Sequence, residues 1–240
     1  MIEYYGGATI TGQSHLEIGQ KNQDHFSITK YNFGLVMVVA DGLGSKKHSD
    51  IGSNQVCKAV GEATKIWFKK NDAPIELLIK LIHNIWDMLI YPHPKNECST
   101  TCLFAIILND GRVVLAQLGD GIIYYLKNNS LVVFDEKNDD FINITNSMSS
   151  VKSINDWKYT IINISNDNFS LFMTTDGLSE DIIFEKRKDF MLYILKKLKY
   201  KTNQKRKNFV IKKILHDCEG EYNSDDKTLI VYSREERINE

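Results

Sequence analysis

Apolar runs that stop on an aspartate punctuate this chain. Residues 35–40 end at Asp41-Gly42-Leu43-Gly44, residues 171–175 end at Asp176-Gly177, and a short strand-like lead-in from Tyr5 precedes Asn22-Gln23-Asp24. A further acidic turn, Asp225-Asp226-Lys227-Thr228, lies near the C-terminus. An aspartate just past a buried strand stands on a rigid base and is exposed at one edge of a sheet. A glycine after it lets the backbone turn sharply and lets another group come close. Several such carboxylates, gathered by the fold, make a hard-oxygen pocket suited to Mg²⁺ or Mn²⁺.

The order of elements limits the fold. Residues 5–11 and 25–29 read as short strands and 33–40 as a buried one. Two helices follow. Residues 50–70 place Ile51, Val56, Ala59, Val60, Ala63 and Trp67 on one face; residues 74–90 start on a proline and turn Ile75, Leu78, Ile82, Ile85 and Leu89 inward. Residues 101–108 and 112–118 form a hairpin around Asn109-Asp110-Gly111. Gly119-Asp120-Gly121 leads into a strand at 122–126, and Asn128-Asn129 into another at 131–134. Residues 135–156 read as an irregular, polar surface loop. Strands resume at 159–164 and 169–175, helices at 183–200 and 205–218, and a last strand at 227–232. Segregated strands and helices give an α+β class, antiparallel sheets covered by antiparallel helix pairs.

The chain has 240 residues, 42% hydrophobic and 25% charged, which predicts one folded domain over residues 1–240. A formal net charge of −1 argues against bulk capture of nucleic acid. No apolar run reaches the ~18–20 residues of a membrane helix. The N-terminus lacks the basic and apolar regions of a signal peptide, so a cytoplasmic location is expected. Four cysteines, without zinc-knuckle spacing, read as reduced and mostly buried thiols.

Several phosphate chemistries are excluded by absence. No cysteine is followed by five residues and an arginine, and there is no P-loop and no Gly-x-Ser-x-Gly elbow. The six histidines are scattered, with no pair at metal-ligand spacing on one helix. Carboxylate–metal chemistry is what remains.

Taken in order, six segments resemble the type-2C metal-dependent serine/threonine phosphatases, the PPM family. They are Asn22-Gln23-Asp24; Val38-Val39-Ala40-Asp41-Gly42-Leu43-Gly44; Ser99-Thr100-Thr101; Leu118-Gly119-Asp120-Gly121; Met173-Thr174-Thr175-Asp176-Gly177; and Asp225-Asp226-Lys227-Thr228. Gly12-Gln13-Ser14-His15, Ser45, Gly52-Ser53 and Asn143-Ile144-Thr145 are similar to a compact bacterial branch of that family. The resemblance implies two antiparallel sheets sandwiched between helices. It implies two Mn²⁺ or Mg²⁺ ions, with Asp41 bridging them, Gly42 lending its carbonyl, and Asp176 and Asp225 completing the first ion's protein ligands. Asp24 would reach the second ion through water, and Asp120 would sit near a looser third ion shared with Asp176. The implied reaction is hydrolysis of phosphoserine and phosphothreonine in proteins by a metal-activated water. The implied partners are a phosphorylated protein substrate and a cognate kinase, with a monomer expected.

Three departures from the family pattern stand out. Gln23 replaces a common glutamate, and an amide is the weaker Mg²⁺ ligand. Gly19 stands where an arginine commonly grips the phosphate, leaving Lys21 or His15 as point-charge substitutes. Gly121 replaces a serine, and the short stretch from Asp120 to Asp176 implies a reduced substrate-side flap. These departures keep two other readings open: a catalytically weak or inactive interaction module, and a phosphatase of a small phosphorylated metabolite.

Overall fold

A strand that is apolar on both faces needs a layer on each side, and this chain has several. The computed structural model describes residues 1–70, 73–134, 146–165, 167–218 and 224–236. Its strands are β1 (Ile2–Ile10), β2 (His25–Tyr31), β3 (Gly34–Ala40), β4 (Cys102–Leu108), β5 (Arg112–Leu118), β6 (Ile122–Lys127), β7 (Ser130–Val133), β8 (Lys158–Asn163), β9 (Phe169–Thr174) and β10 (Lys227–Glu235). Its helices are α1 (Gln13–Glu17), α2 (Ser49–Phe68), α3 (Ile75–Leu89), α4 (Asp176–Ser179), α5 (Arg187–Lys199) and α6 (Gln204–Asp217). One antiparallel sheet runs β1-β10-β9-β6-β7, the other β2-β3-β4-β5-β8.

Side-chain alternation builds three apolar layers. Val36, Val38 and Ala40 of β3 face α2 and α3, packing with Val56, Val60, Leu78 and Ile82. Leu35, Met37 and Val39 face the other sheet, meeting Leu171 and Met173 of β9 and Ile230 of β10. Leu229 and Val231 point the opposite way, onto Ile194, Leu198 and Ile211 of α5 and α6. The result is helices, sheet, sheet, helices, as expected from the segregated sequence.

Hydrophobic alternation cannot set the register of β3, because both of its faces are buried. A close approach does it instead: a Cβ on Gly34 would stand 2.1 Å from the Ile107 carbonyl oxygen. Only glycine fits there, opposite Leu108. With that end pinned, the other end of the strand delivers Asp41.

Three local features differ from the sequence reading. The five-residue helix α1 was not legible, being too short to show a 3.6-residue period. The helix expected from residue 183 starts instead at Arg187, after a 3-10 turn at Phe184–Lys186. Residues 135–145 of the expected surface loop, Asn143-Ile144-Thr145 among them, lie outside the described residues. The stretch after them is not all at the surface. Ser147 and Met148 are buried, the Ser99 hydroxyl donates to Ser147 Oγ at 2.8 Å, and Met148 N–H donates to the Thr100 carbonyl at 2.8 Å.

Candidate metal centre

Antiparallel pairing decides where the acids go. β2 and β3 pair antiparallel, as do β9 and β10, so the start of one strand lies beside the end of its neighbour. β5 turns directly into β6 and so carries this edge from one sheet to the other. Asp24 precedes β2, Asp41 follows β3, Asp120 links β5 to β6, Asp176 follows β9, and Asp225 and Asp226 precede β10. All six therefore reach one end of the sandwich, although up to two hundred residues separate them in the chain.

The backbone of Asp41 is clamped by a Ser-Thr-Thr segment. Its N–H donates to Thr101 Oγ1 at 2.9 Å, and its carbonyl accepts from Thr101 N–H and the Thr100 hydroxyl, each at 2.8 Å. Gly42 donates its N–H to the Gln23 carbonyl at 3.2 Å, tying the second turn to the first. Asp24 is deeper, 2% exposed. The hydroxyls of Thr175 and Thr228 each donate to its Oδ2 at 2.8 Å. Asp176 opens α4 and accepts from Gly177 N–H at 2.7 Å. Asp225 is the most open of the group, its side chain 54% exposed, and accepts from Asp226 N–H at 2.8 Å.

These carboxyls act on one another. Burial first, then the charges of Asp24, Asp176 and Asp225, hold Asp41 well above the ordinary carboxylate range. Asp24 is pushed up to about 8, mainly by burial, against the two threonine hydroxyls and with a smaller contribution from Asp226 and Asp176. Asp176 is raised by burial and by Asp225 and Asp120, while its contact with Asp41 pulls it down. Acids this close stay ionised only if a cation sits among them. The donor set, hard carboxylate oxygens with a backbone carbonyl at Gly42 available beside them, fits Mg²⁺ or Mn²⁺.

A pH dependence follows. A carboxyl whose folded pKa is raised binds its proton more tightly in the folded chain than in the unfolded one. Between about 4 and 8, the range over which Asp24 is shifted, the metal-free fold loses stability as pH rises. A divalent cation held among these acids would remove that loss. The gain in melting temperature on adding Mg²⁺ is thus expected to be larger at pH 8 than at pH 5.5, and thermal scans at both values check it. An equal gain would contradict the acid-cluster account.

Asp226 is part of the frame. It is 3% exposed, its Oδ1 accepts from Gly12 N–H at 2.8 Å, and its Oδ2 accepts from Gln23 N–H at 2.6 Å. It thereby ties β10 to the segments after β1 and before β2. His15 also turns this way: its Nδ1 stands 3.0 Å from Asp226 Oδ1 and 4.0 Å from Asp225 Oδ1. That nitrogen nonetheless makes no hydrogen bond of good geometry among the described residues. His15, Asp225 and Asp226 offer ligand-type atoms within 4.8 Å of one another. Both oxygens of Asp226 are held by backbone donors. Asp226→Asn sets an amide NH₂ against one of two backbone N–H groups, costing about 1–3 kcal/mol. The expected result is a melting temperature lower by roughly 3–10 °C; an unchanged melt would remove this role.

The sequence model of the family described as protein phosphatase 2C matches residues 11–216. The chain belongs to the protein phosphatase 2C family. Solved structures agree in fold. A bacterial serine phosphatase, 18% identical, aligns over 99% of this chain and 100% of its own with a TM-score of 0.70. The serine/threonine phosphatase Stp1 from Staphylococcus aureus, 17% identical, aligns over 98% and 96% with a TM-score of 0.68. The catalytic domain of the serine/threonine protein phosphatase PstP, solved with two manganese ions, is 15% identical and aligns over 96% and 97% with a TM-score of 0.61. No curated protein matches the chain by sequence.

As a type-2C phosphatase, the chain shows its departures in physical terms. Gly19 has φ +68, with nothing within 4 Å of where a Cβ would stand. A Cβ would meet open space, but that left-handed backbone costs a non-glycine residue roughly 1–3 kcal/mol, which favours glycine here. Lys21 is exposed and lines a groove beside Gln23 and Gly44. Asp120 and Asp176 line a separate cleft with Glu180 and Arg187. Among the described residues, no helix is long and apolar enough to cross a membrane. Two features escaped sequence reading: the threonine hydroxyls on Asp24, and His15 facing Asp225 and Asp226. The first had a signal in the Thr-Thr-Asp-Gly and Asp-Asp-Lys-Thr turns; the second had none, because it depends on where α1 docks.

Proposed function

We propose that residues 1–240 form one phosphatase domain that hydrolyses phosphoserine and phosphothreonine in proteins at two Mn²⁺ or Mg²⁺ ions. The observation that carries this reading is the gathering of Asp24, Asp41, Asp176 and Asp225 at one end of the sandwich by antiparallel strand pairing, where the principal charged neighbours of Asp24, Asp41 and Asp176 are other carboxylates. Asp41, Gly42, Asp176 and Asp225 are the proposed ligands, with Asp24 acting through water and Asp120 edging a third position. Bound there, divalent ions supply Lewis acidity toward the phosphoryl oxygens and a water of lowered pKa.

The chain's own residues do the positioning. Thr100 and Thr101 fix the backbone of Asp41, and Thr175 and Thr228 keep Asp24 oriented. Asp226 sets the spacing between the N-terminal segments and Asp225. Lys21 is the side chain proposed to meet the substrate phosphate, as a point charge where the family uses an arginine fork. His15 faces the acids, so its help to the phosphate would come from that side. The PstP structure with two manganese ions supports the metal choice by family relation. A phosphorylated protein, and the kinase that makes it, are the implied partners.

The test is release of inorganic phosphate from a phosphothreonine peptide and from a panel of small phosphorylated metabolites, with Mn²⁺. The reading predicts turnover of the peptide. Turnover of metabolites alone would move the substrate class, and turnover of neither would overturn the reading.

A further inference from the structure

Beside Gln23 the surface opens into a groove of 610 Å³ whose lining includes Lys21, Lys46, Lys47, Asp50 and Glu97. It begins one turn beyond Asp41-Gly42, across Gly44. Its charges are unevenly committed. Asp50 sits in the first turn of α2, where a carboxylate complements the positive end of the helix. Glu97 accepts from the Lys47 backbone N–H at 3.2 Å. Among the described residues, the ammonium groups of Lys21, Lys46 and Lys47 have no acid within ion-pair distance. The chain as a whole carries a net charge of −1, whereas this groove sets three lysines against two acids, a local excess of positive charge.

A second observation points to a bound chain. Gln23 is 6% exposed, and its Oε1 is buried with no hydrogen-bond partner. Gly44, which also lines the groove, is its neighbour on that side: a Cβ there would stand 3.6 Å from that oxygen. A buried acceptor without a donor is unfavourable. An extended peptide crossing Gly44 brings backbone N–H groups that satisfy it once the amide turns outward into the groove, while its side chains reach the lysines at alternate positions.

We propose that this groove receives the acidic segment flanking the phosphorylated residue, making the chain selective for phosphoproteins with carboxylates near the phosphate. This rests on the phosphoprotein reading above. Gln23 takes a substrate backbone N–H, and Lys46 and Lys47 take its carboxylates. Lys21 lies between the groove and the phosphate.

The experiment compares phosphothreonine peptides with three glutamates before the phosphate, three after it, or glutamines at the same positions, using the full chain with Mn²⁺ at low salt. The expected result is a kcat/KM at least tenfold higher for one glutamate peptide than for its glutamine match. That ratio should fall to near one in Lys46→Ser/Lys47→Ser and in 0.5 M NaCl, where the Debye length is only a few ångströms. Equal kcat/KM for the matched peptides, or a preference untouched by the double variant, would overturn the groove assignment and leave the phosphatase reading standing. A fluorescent unphosphorylated glutamate peptide, titrated by anisotropy in EDTA, separates the two claims. Binding lost in the double variant supports the groove even without turnover. If a single-stranded oligonucleotide binds more tightly than the peptide through the same lysines, the partner class is wrong.

Discussion

Asp41→Asn is expected to lower kcat toward phosphothreonine peptide by ~10²-fold or more, a loss of ~2.7 kcal/mol or more of transition-state stabilisation. The substitution is nearly isosteric, and the backbone contacts to Thr100 and Thr101 do not involve the carboxyl. What it removes is charge at the centre of the acid cluster, where Asp24, Asp176 and Asp225 all act on Asp41. A buried carboxyl held well above its usual range destabilises the metal-free fold at neutral and higher pH. The metal-free Asp41→Asn protein should therefore melt no lower than wild type at pH 8, while the stabilisation by Mg²⁺ largely disappears. Asp226→Asn has the opposite signature, with a lower melt and a milder effect on turnover. A folded Asp41→Asn protein with a near wild-type rate would show that this turn does not carry the chemistry.

The contrast between those two aspartates shows what the sequence could and could not say. Both lie next to glycine or acid in turns, but Asp41 reads as a metal ligand and Asp226 as a turn or supporting residue rather than a ligand. Asp41 was legible as special because an unbroken apolar run delivers it, and the structure shows that run buried on both faces. The role of Asp226 depends on the N–H groups of Gly12 and Gln23, more than two hundred residues away. No local pattern records such a contact. The hairpin at Asn109-Asp110-Gly111 and the helices α2 and α3 were legible because their signals are short-range. The shared edge that gathers the acids was not, because it follows from which strands pair. The ordered motifs supplied through family resemblance what spacing alone could not.

Metal dependence is the most direct test of the central claim. Protein dialysed against EDTA, with removal of metal verified by elemental analysis, is assayed on phosphothreonine peptide before and after adding Mn²⁺ or Mg²⁺, with and without iodoacetamide. The carboxylate cluster predicts loss of turnover in the stripped protein and recovery with either ion. Iodoacetamide should leave the recovered rate unchanged, since Cys57, Cys98 and Cys102 are buried and half-buried Cys218 is none of the proposed ligands, all four thiols being pushed up mainly by burial. Full turnover in verified metal-free protein, or complete inactivation by alkylation with the fold intact, would contradict the account.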